Sequence, residues 1–272
     1  MTVAATSTSS PSPGQGRLEA EGVRKHFAGV VAVDDLTLEV RPGELVGLIG
    51  PNGAGKTTFF NCVTGFSAPS RGRVRLDGLD VTSWSPAARA RAGMARTFQQ
   101  AKIFHHLSVR ENLLLGRHRH YGASAWQAAL HTPRARAAER AAAASVERVA
   151  ERCRLTGVLD APVAALPYGS RRMVEVARAL VSEPAILLLD EPAAGMDSAE
   201  SASFGELLQE VSDETGSILL IEHDVPLVLT ICHRIYVLDF GRLIATGTPE
   251  AIRADERVRA AYFGSTVGAG GG

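Results

Sequence analysis

Residues 50–58 read GPNGAGKTT and have the residue types and spacing of a phosphate-binding loop. Gly53 and Gly55 can adopt backbone angles that let N–H groups converge on phosphate oxygens, and a following helix adds its positive N-terminal end. Lys56 would bring a positive charge to the β- and γ-phosphates, while the Thr57 hydroxyl can ligate Mg²⁺. The alternative is a glycine-rich turn with a solvated lysine. The predicted nucleotide-binding residues are Gly50, Pro51, Asn52, Gly53, Ala54, Gly55, Lys56, Thr57 and Thr58.

Two adjacent carboxylates, Asp190 and Glu191, follow the apolar run ILLL. Ligands of open α/β sheets bind at the carboxyl ends of the strands, which is where this pair is predicted. Asp190 is suited to hold Mg²⁺ through water, and Glu191 to orient and deprotonate a water in line with the γ-phosphate. Alone, the pair could be a solvated turn. Together with the phosphate loop, it favours phosphoryl chemistry.

His223 follows a third apolar run, in the segment LLIEHD. An imidazole there could reach the γ-phosphate and stabilise charge that develops in the transition state. By spacing alone, a histidine that is hydrogen-bonded at a strand end is the simpler interpretation. The remaining histidines near the middle of the chain lack a carboxylate or cysteine at metal-ligand spacing, so we predict that they lie on the surface. They are His105, His106, His118 and His120.

Three short apolar segments must position these residues, at 45–50, 185–191 and 217–224. Nearly continuous apolar runs of this length are typical of strands that are buried on both faces of a parallel sheet. Each one adjoins a helical stretch, which predicts a layered α/β domain. Alternating apolar residues around Asp77 and in the segment 234–247 predict antiparallel hairpins beside that sheet.

The segment from about 108 to 165 has a helical pattern. Ser108 can cap a helix that carries Leu113, and residues 134–154 place Val146 at helical spacing with later apolar residues. We therefore predict a helical insert within the α/β domain.

Composition restricts the classes of protein to consider. The 272 residues are 45% apolar, which is enough for a large core, and 29 basic residues balance 29 acidic ones, so overall charge gives no nucleic-acid footprint. The three cysteines are scattered, which favours reduced thiols in the cytosol. Residues 1–16 lack the pattern of a signal peptide, and no run of 18 apolar residues occurs.

Four motifs stand in a specific order: GPNGAGKTT, TFQQ at 97–100, LPYGSRR at 166–172 and ILLLDEP. With AAGMD and IEHD behind them, they resemble the nucleotide-binding subunit of an ABC transporter. The resemblance implies a P-loop NTPase core with a mainly parallel sheet, a flanking antiparallel β-subdomain and a helical subdomain at about 100–182. The ABC ATPase domain would span 17–263, between disordered tails at 1–16 and 264–272.

Within that superfamily, GMARTFQ, the Tyr-Gly pair, DEPAAGM and the closing GTPEAIRADERVRAAYFG look most like ATPase subunits of branched-chain amino-acid importers. The resemblance then implies ATP and Mg²⁺ as cofactors, with Gln99 as a catalytic residue that touches Mg²⁺ and the attacking water and hinges the helical subdomain. His223 would be the switch histidine at the γ-phosphate, which reverses the interpretation from spacing. Asp197 would end the D-loop at the dimer interface. Phe27 would stack on adenine, although a core phenylalanine is the alternative.

Residues 166–171 would be the signature, which faces the ATP of a partner subunit through Tyr168, Gly169 and Ser170. The common pattern is Leu-Ser-Gly-Gly-Gln, and here Pro167 replaces the serine, Tyr168 the first glycine and Ser170 the glutamine. Less side-chain chemistry remains, so we expect the N–H groups of Gly169 and Ser170 to contact the phosphate.

The family mechanism implies several partners. Two ATPase subunits, identical or paralogous, would close around two ATPs and energise two transmembrane permease subunits, supplied indirectly by an extracytoplasmic solute-binding protein. The chain would lie peripherally on the cytoplasmic face of the plasma membrane and bind no nucleic acid. The helical insert, with FHHLSVRENLLLGRHRH, would dock a permease helix, although 117–120 could equally be a solvated face.

Two other functions remain open at this level. A soluble ABC ATPase that acts on nucleic acid or ribosomes usually carries two fused ATPase units or long coiled coils, and this chain has neither pattern. A P-loop kinase would leave the signature and His223 unexplained.

Overall fold

A computed structural model of the chain describes residues 15–97, 103–117 and 133–263. Its strands are β1 (Leu18–Phe27), β2 (Val30–Val40), β3 (Leu45–Ile49), β4 (Arg71–Leu76), β5 (Leu79–Asp80), β6 (Met94–Arg96), β7 (Ile186–Asp190), β8 (Ser217–Ile221), β9 (Arg234–Asp239) and β10 (Arg242–Gly247). They form an antiparallel sheet with the order β2-β1-β4-β5 and a second sheet with the order β10-β9-β3-β8-β7-β6. The second sheet is parallel except for β10, so the predicted α/β fold class is confirmed.

The three apolar runs form the centre of the parallel sheet. Every residue of β3, β7 and β8 is buried, as expected of strands that are covered on both faces. β3 lies between β8 and β9, and β8 lies between β3 and β7. The carboxyl ends of β3, β7 and β8 therefore meet at one edge, where the phosphate loop, the acidic pair and His223 follow them in the sequence.

The helices are α1 (Lys56–Thr64), α2 (Pro86–Arg91), α3 (Val109–Gly116), α4 (Pro133–Arg152), α5 (Tyr168–Leu180), α6 (Ser198–Thr215), α7 (Val225–Ile231), α8 (Pro249–Ala254) and α9 (Glu256–Phe263). The predicted cap of α3 is confirmed, because Ser108 and Glu111 form a reciprocal capping box. α4 buries Val146 and Ala150 against a core that it shares with α3 and α5. Within the described residues, no helix combines the length and the apolar character needed to cross a membrane.

The antiparallel sheet covers the helix that follows the phosphate loop. Alternate residues of β1 and β2 pack with Phe59 and Phe60 of α1 and with the face of β3 that carries Leu48. The β4–β5 hairpin turns at Asp77 and Gly78, both with positive φ, which confirms the predicted turn. α1 is thus held between two sheets.

β9 and β10 form the second predicted antiparallel hairpin, and the turn between them contacts the phosphate loop. Gly241 N–H donates to the carbonyl oxygen of Ala54 at 3.0 Å, and Asp34 N–H donates to the carbonyl oxygen of Gly241 at 2.8 Å. Residues far apart in the sequence therefore brace the loop from both sheets.

The bounds predicted for the helical subdomain and for the two tails stay predictions. Residues 1–14, 98–102, 118–132 and 264–272 lie outside the described part of the chain.

Candidate nucleotide site

The phosphate loop connects β3 to α1 and needs glycine at specific positions. Gly55 is the N-cap of α1 with φ +98° and provides no side-chain cap for the first helical N–H groups. A Cβ at Gly55 would lie 2.3 Å from the carbonyl oxygen of Ala32, and one at Gly50 would lie 2.2 Å from that of Leu238. Any larger residue would therefore displace backbone. No side chain caps the first turn of α1, so the positive end of this helix can accept an anion.

Lys56 is buried at the start of α1, where its ammonium group lies against the loop. Lys56 Nζ donates to the carbonyl oxygens of Gly50 at 2.6 Å and Pro51 at 3.0 Å. Burial lowers the pKa of Lys56, and the negative charges of Glu191 and Asp190 oppose this shift. The cation is thus held next to the loop and faces the acidic pair.

A cavity of about 660 Å³ lies over the loop. It joins seven of the nine predicted loop residues to Glu191 and His223, although these groups follow three different strands. The lining residues are Ala32, Asn52, Gly53, Ala54, Gly55, Lys56, Thr57, Thr58, Glu191 and His223.

Asp190 ends β7 and is almost completely buried. Its Oδ2 accepts a hydrogen bond from Arg96 Nη2 at 3.3 Å, while no described residue donates to its buried Oδ1. Burial raises the pKa of Asp190, and the positive charge of Arg96 opposes this shift. A buried carboxylate oxygen without a donor is costly unless a cation coordinates it, so the residues present fit Mg²⁺.

Glu191 directly contacts His223 at the edge of the cavity. Glu191 Oε1 lies 2.7 Å from His223 Nε2. The backbone of Glu191 has φ +50°, and its N–H donates to the carbonyl oxygen of Ile221 at 2.9 Å, which holds the residue on β8. His223 is thus hydrogen-bonded, as the simpler interpretation expected, and its partner is the predicted base.

The predicted signature forms the first turn of α5, where Pro167 is the N-cap and no side chain caps the helix. Gly169 is buried, and a Cβ at this position would lie 2.5 Å from Glu200 Oε1. A Cβ at Gly195 would lie 2.9 Å from the ring of Tyr168, which is half exposed. The first turn of α5 therefore packs against the segment that follows β7.

Asp197, predicted to end the D-loop, is the N-cap of α6. Its Oδ1 accepts from the N–H groups of Ala199 and Glu200, both at 2.8 Å, and Glu200 Oε2 accepts from the N–H of Asp197 at 3.1 Å. This capping box fixes the carboxylate of Glu200 next to the signature.

Not every residue predicted for the nucleotide and metal sites lines the cavity: Gly50, Pro51, Asp190 and Phe27 are outside its lining. Phe27 is 51% exposed, so it is not a core phenylalanine, and Lys25 Nζ lies 4.9 Å from its ring centroid. It does not line the cavity. Gln99 lies outside the described residues, and its predicted role stays a prediction.

Comparisons with known proteins agree with a nucleotide-binding site at this position. The family described as ABC transporter matches residues 33–194. The high-affinity branched-chain amino acid transport ATP-binding protein LivG of Escherichia coli K12 is 41% identical over 251 residues, which cover 92% of this chain and 98% of that protein. BraF of Pseudomonas aeruginosa, with the same description, is 40% identical over 91% of this chain and 97% of its own length. The chain belongs to the ABC transporter family.

Further similarity extends over the fold and the C-terminal segment of this ABC ATPase. A nucleotide-free ATP-binding cassette from an ABC transporter has a TM-score of 0.78 and 29% identity, covering 91% of this chain and 98% of that structure. The family described as branched-chain amino acid ATP-binding cassette transporter matches residues 242–267. The chain is an ATP-binding, ATP-hydrolysing ABC subunit, and neither relative named above is described as acting on nucleic acid or ribosomes.

Sequence reasoning did not single out two residues that hold the site of this ABC ATPase. Glu222 is buried between β8 and His223, and it accepts from the N–H groups of Ala193 at 2.7 Å and His223 at 3.1 Å. Burial raises its pKa. The sequence signal that could have identified Glu222 is its place directly after the apolar run and before His223. Arg96, the partner of Asp190, had no signal beyond its place in GMARTFQ.

Proposed function

We propose that this chain is the ATPase subunit of an importer for branched-chain or related amino acids, with Mg-ATP as its substrate. The observation that carries the proposal is that one cavity joins the phosphate loop to Glu191 and His223. Support for the solute class comes from relatives at 40–41% identity and from the C-terminal family match. Association with permeases would place the chain peripherally at the membrane.

The chemistry follows from the positions of the side chains. The N–H groups of the loop and Lys56 bind the phosphates, and Glu191 takes a proton from the attacking water. His223 holds the carboxylate of Glu191 in place at 2.7 Å. Thr57, Asp190 and Gln99 would hold Mg²⁺, which neutralises charge on the phosphate oxygens when it is bound.

The signature would act on the ATP of a second subunit. The first turn of α5 has no acidic residue and no side-chain cap, so its N–H groups are available to a phosphate. Gly169 and Ser170 donate in the closed dimer, and Asp197 lies at the interface. Phe27, exposed at the end of β1, stacks on adenine.

The carboxylate of Glu200 complicates the simplest test of the signature. In Gly169→Asp, the new side chain collides with Glu200 inside the same subunit and faces a like charge. We expect a loss of about 1–3 kcal/mol in the free energy of unfolding, as for other overpacked sites, together with a loss of ATP-driven dimerisation. Thermal unfolding and size-exclusion chromatography measure the two effects.

The double variant Gly169→Asp/Glu200→Ala separates them. Removing Glu200 makes room within the subunit, so stability recovers relative to Gly169→Asp, whereas dimerisation stays blocked by the carboxylate against phosphate. If dimerisation recovers as well, Gly169 serves packing on Glu200 rather than phosphate binding.

A groove between the parallel sheet and the helical region is the proposed permease site. It has a volume of about 360 Å³, and its lining includes Phe104, Leu115, Met94 and Ala179. Phe104 and Leu115 are large apolar residues that are exposed at its rim. An apolar groove of this kind suits a short amphipathic helix on the cytoplasmic side of a permease.

The experiment that tests the proposed function is co-purification from native membranes. We expect the parent chain to retain polytopic permease subunits and Leu115→Asp to lose them, while nucleotide binding stays within twofold. Leu79→Asp is the matched control, since Leu79 is 54% exposed and Leu115 44%, but Leu79 lies on the antiparallel sheet. A parent chain that never retains polytopic subunits would contradict the transporter function.

A further inference from the structure

Arg96 lies between two elements that carry proposed Mg²⁺ ligands. It ends β6, the edge strand that pairs with β7, and only 11% of its side chain is exposed. The Nη2 group reaches Asp190 Oδ2 at 3.3 Å, while Nη1 donates to Asn61 Oδ1 at 2.7 Å and to Thr64 Oγ1 at 2.8 Å. One guanidinium thus connects β7 with α1.

Aromatic rings fix the position of this guanidinium. The Cζ atom of Arg96 lies 4.7 Å from the ring centroid of Phe60 and 5.1 Å from that of Phe66. Such contacts with ring faces add to the hydrogen bonds and define the plane of the group. Arg96 is therefore held from several directions.

The contacts on α1 lie on the face that begins with Thr57. Asn61 and Thr64 follow Thr57 by four and seven residues, so the three side chains share one face of the helix. By holding this face, Arg96 sets how α1 lies relative to Asp190. Arg96 contacts Oδ2 of Asp190. The other carboxylate oxygen, Oδ1, is buried, receives no hydrogen bond from a described residue and can therefore face a metal ion.

We propose that Arg96 is a positioning residue, which sets the separation of the Thr57 hydroxyl and the Asp190 carboxylate and thereby the affinity of the ATP site for Mg²⁺. This inference rests on the proposed function of Thr57 and Asp190 as the metal's ligands. Lysine could not replace Arg96, because its single ammonium group cannot reach all three acceptors at once. These are the Asn61 amide oxygen and the Thr64 hydroxyl on α1 and the Asp190 carboxylate on β7.

The test measures how Mg²⁺ tightens the binding of a fluorescent ATP analogue to the isolated chain. For Arg96→Gln, we expect an affinity in EDTA within twofold of the parent, and a rise of about tenfold or more in the Mg²⁺ concentration for half-maximal tightening. Changes to groups that orient metal ligands typically cost 10–100-fold in metal affinity. The readout needs no catalytic turnover.

Arg89→Gln is the matched control, since Arg89 is another buried arginine beside the end of α1. It donates to the carbonyl oxygens of Cys62 at 2.8 Å and Thr82 at 2.9 Å. We expect no change in the Mg²⁺ midpoint for this variant. Asn61→Ala removes one hydrogen-bond acceptor of Arg96 and should also raise the Mg²⁺ midpoint, by a smaller factor than Arg96→Gln. If thermal unfolding shows that Arg96→Gln does not fold, Asn61→Ala takes its place in the test.

The outcomes are distinct. A shifted midpoint in Arg96→Gln or Asn61→Ala, without a shift in Arg89→Gln, supports the proposal. An unchanged midpoint, or an equal loss of affinity with and without Mg²⁺, overturns it. A parent chain whose affinity does not respond to Mg²⁺ overturns instead the proposed function of Thr57 and Asp190.

Discussion

Glu191→Gln is expected to bind ATP as tightly as the parent chain and to hydrolyse it about a hundred- to ten-thousand-fold more slowly. The amide has the shape of the carboxylate and can keep the contact with His223, which is 2.7 Å long in the parent chain. It cannot accept a proton from water. The backbone hydrogen bond from Glu191 N–H to the carbonyl oxygen of Ile221 does not involve the side chain, so the substitution leaves it in place. Single-turnover hydrolysis and equilibrium nucleotide binding measure the two quantities.

Loss of hydrolysis should also trap the closed dimer. With Mg-ATP, Glu191→Gln is expected to elute as a dimer in size-exclusion chromatography, whereas the parent returns to monomer as ATP is consumed. Glu222→Gln is the control for removing a nearby negative charge, because Glu222 accepts backbone N–H groups and does not line the cavity. It should not trap a dimer. Full turnover in Glu191→Gln would exclude Glu191 as the base.

Lys56→Ala is expected to lower ATP affinity by about ten- to a hundredfold. A hydrogen bond to a charged group contributes about 1.5–3 kcal/mol, and each 1.4 kcal/mol corresponds to a tenfold change in affinity. Lys56 is buried beside the loop and supplies its positive charge from inside the cavity, where water screens it poorly. Titration with a fluorescent ATP analogue measures the loss.

The matched control for this variant is Arg234→Ala. Arg234 Nη2 also donates to a backbone carbonyl oxygen, that of Glu39 at 3.0 Å, but Arg234 is outside the lining of the cavity and far from Phe27 in the sheet order, on β9. We expect its nucleotide affinity to stay within twofold of the parent. Equal affinity in Lys56→Ala and the parent would refute the assignment of the phosphate loop.

The parts of the molecule that could be predicted from sequence are those with local signals. The strands β3, β7 and β8 were readable because burial on both faces requires continuous apolar runs. The phosphate loop was readable because its function depends on adjacent residues and on glycine at fixed positions. The Ser108 cap was readable because it acts within one turn of helix.

Contacts between distant residues left no such pattern. Arg96 and Asp190 are 94 residues apart, and Glu191 and His223 are 32 apart, so their pairing depends on strand order in the sheet. The closeness of Glu200 to Gly169 could not be predicted from sequence either, because phosphate binding also explains a glycine in the signature. Spacing alone therefore could not decide what His223 contacts or why Gly169 must be small.

The bracing of the phosphate loop by Gly241 has a consequence for the order in which the protein can be assembled. Both strands beside β3 come from the last third of the chain, and the turn that contacts Ala54 lies almost 190 residues after it, near position 241. Contacts of such long range close late. During synthesis, a growing chain therefore carries its complete GKT motif long before residues 217–241, which complete the surroundings of the phosphate loop, have been made.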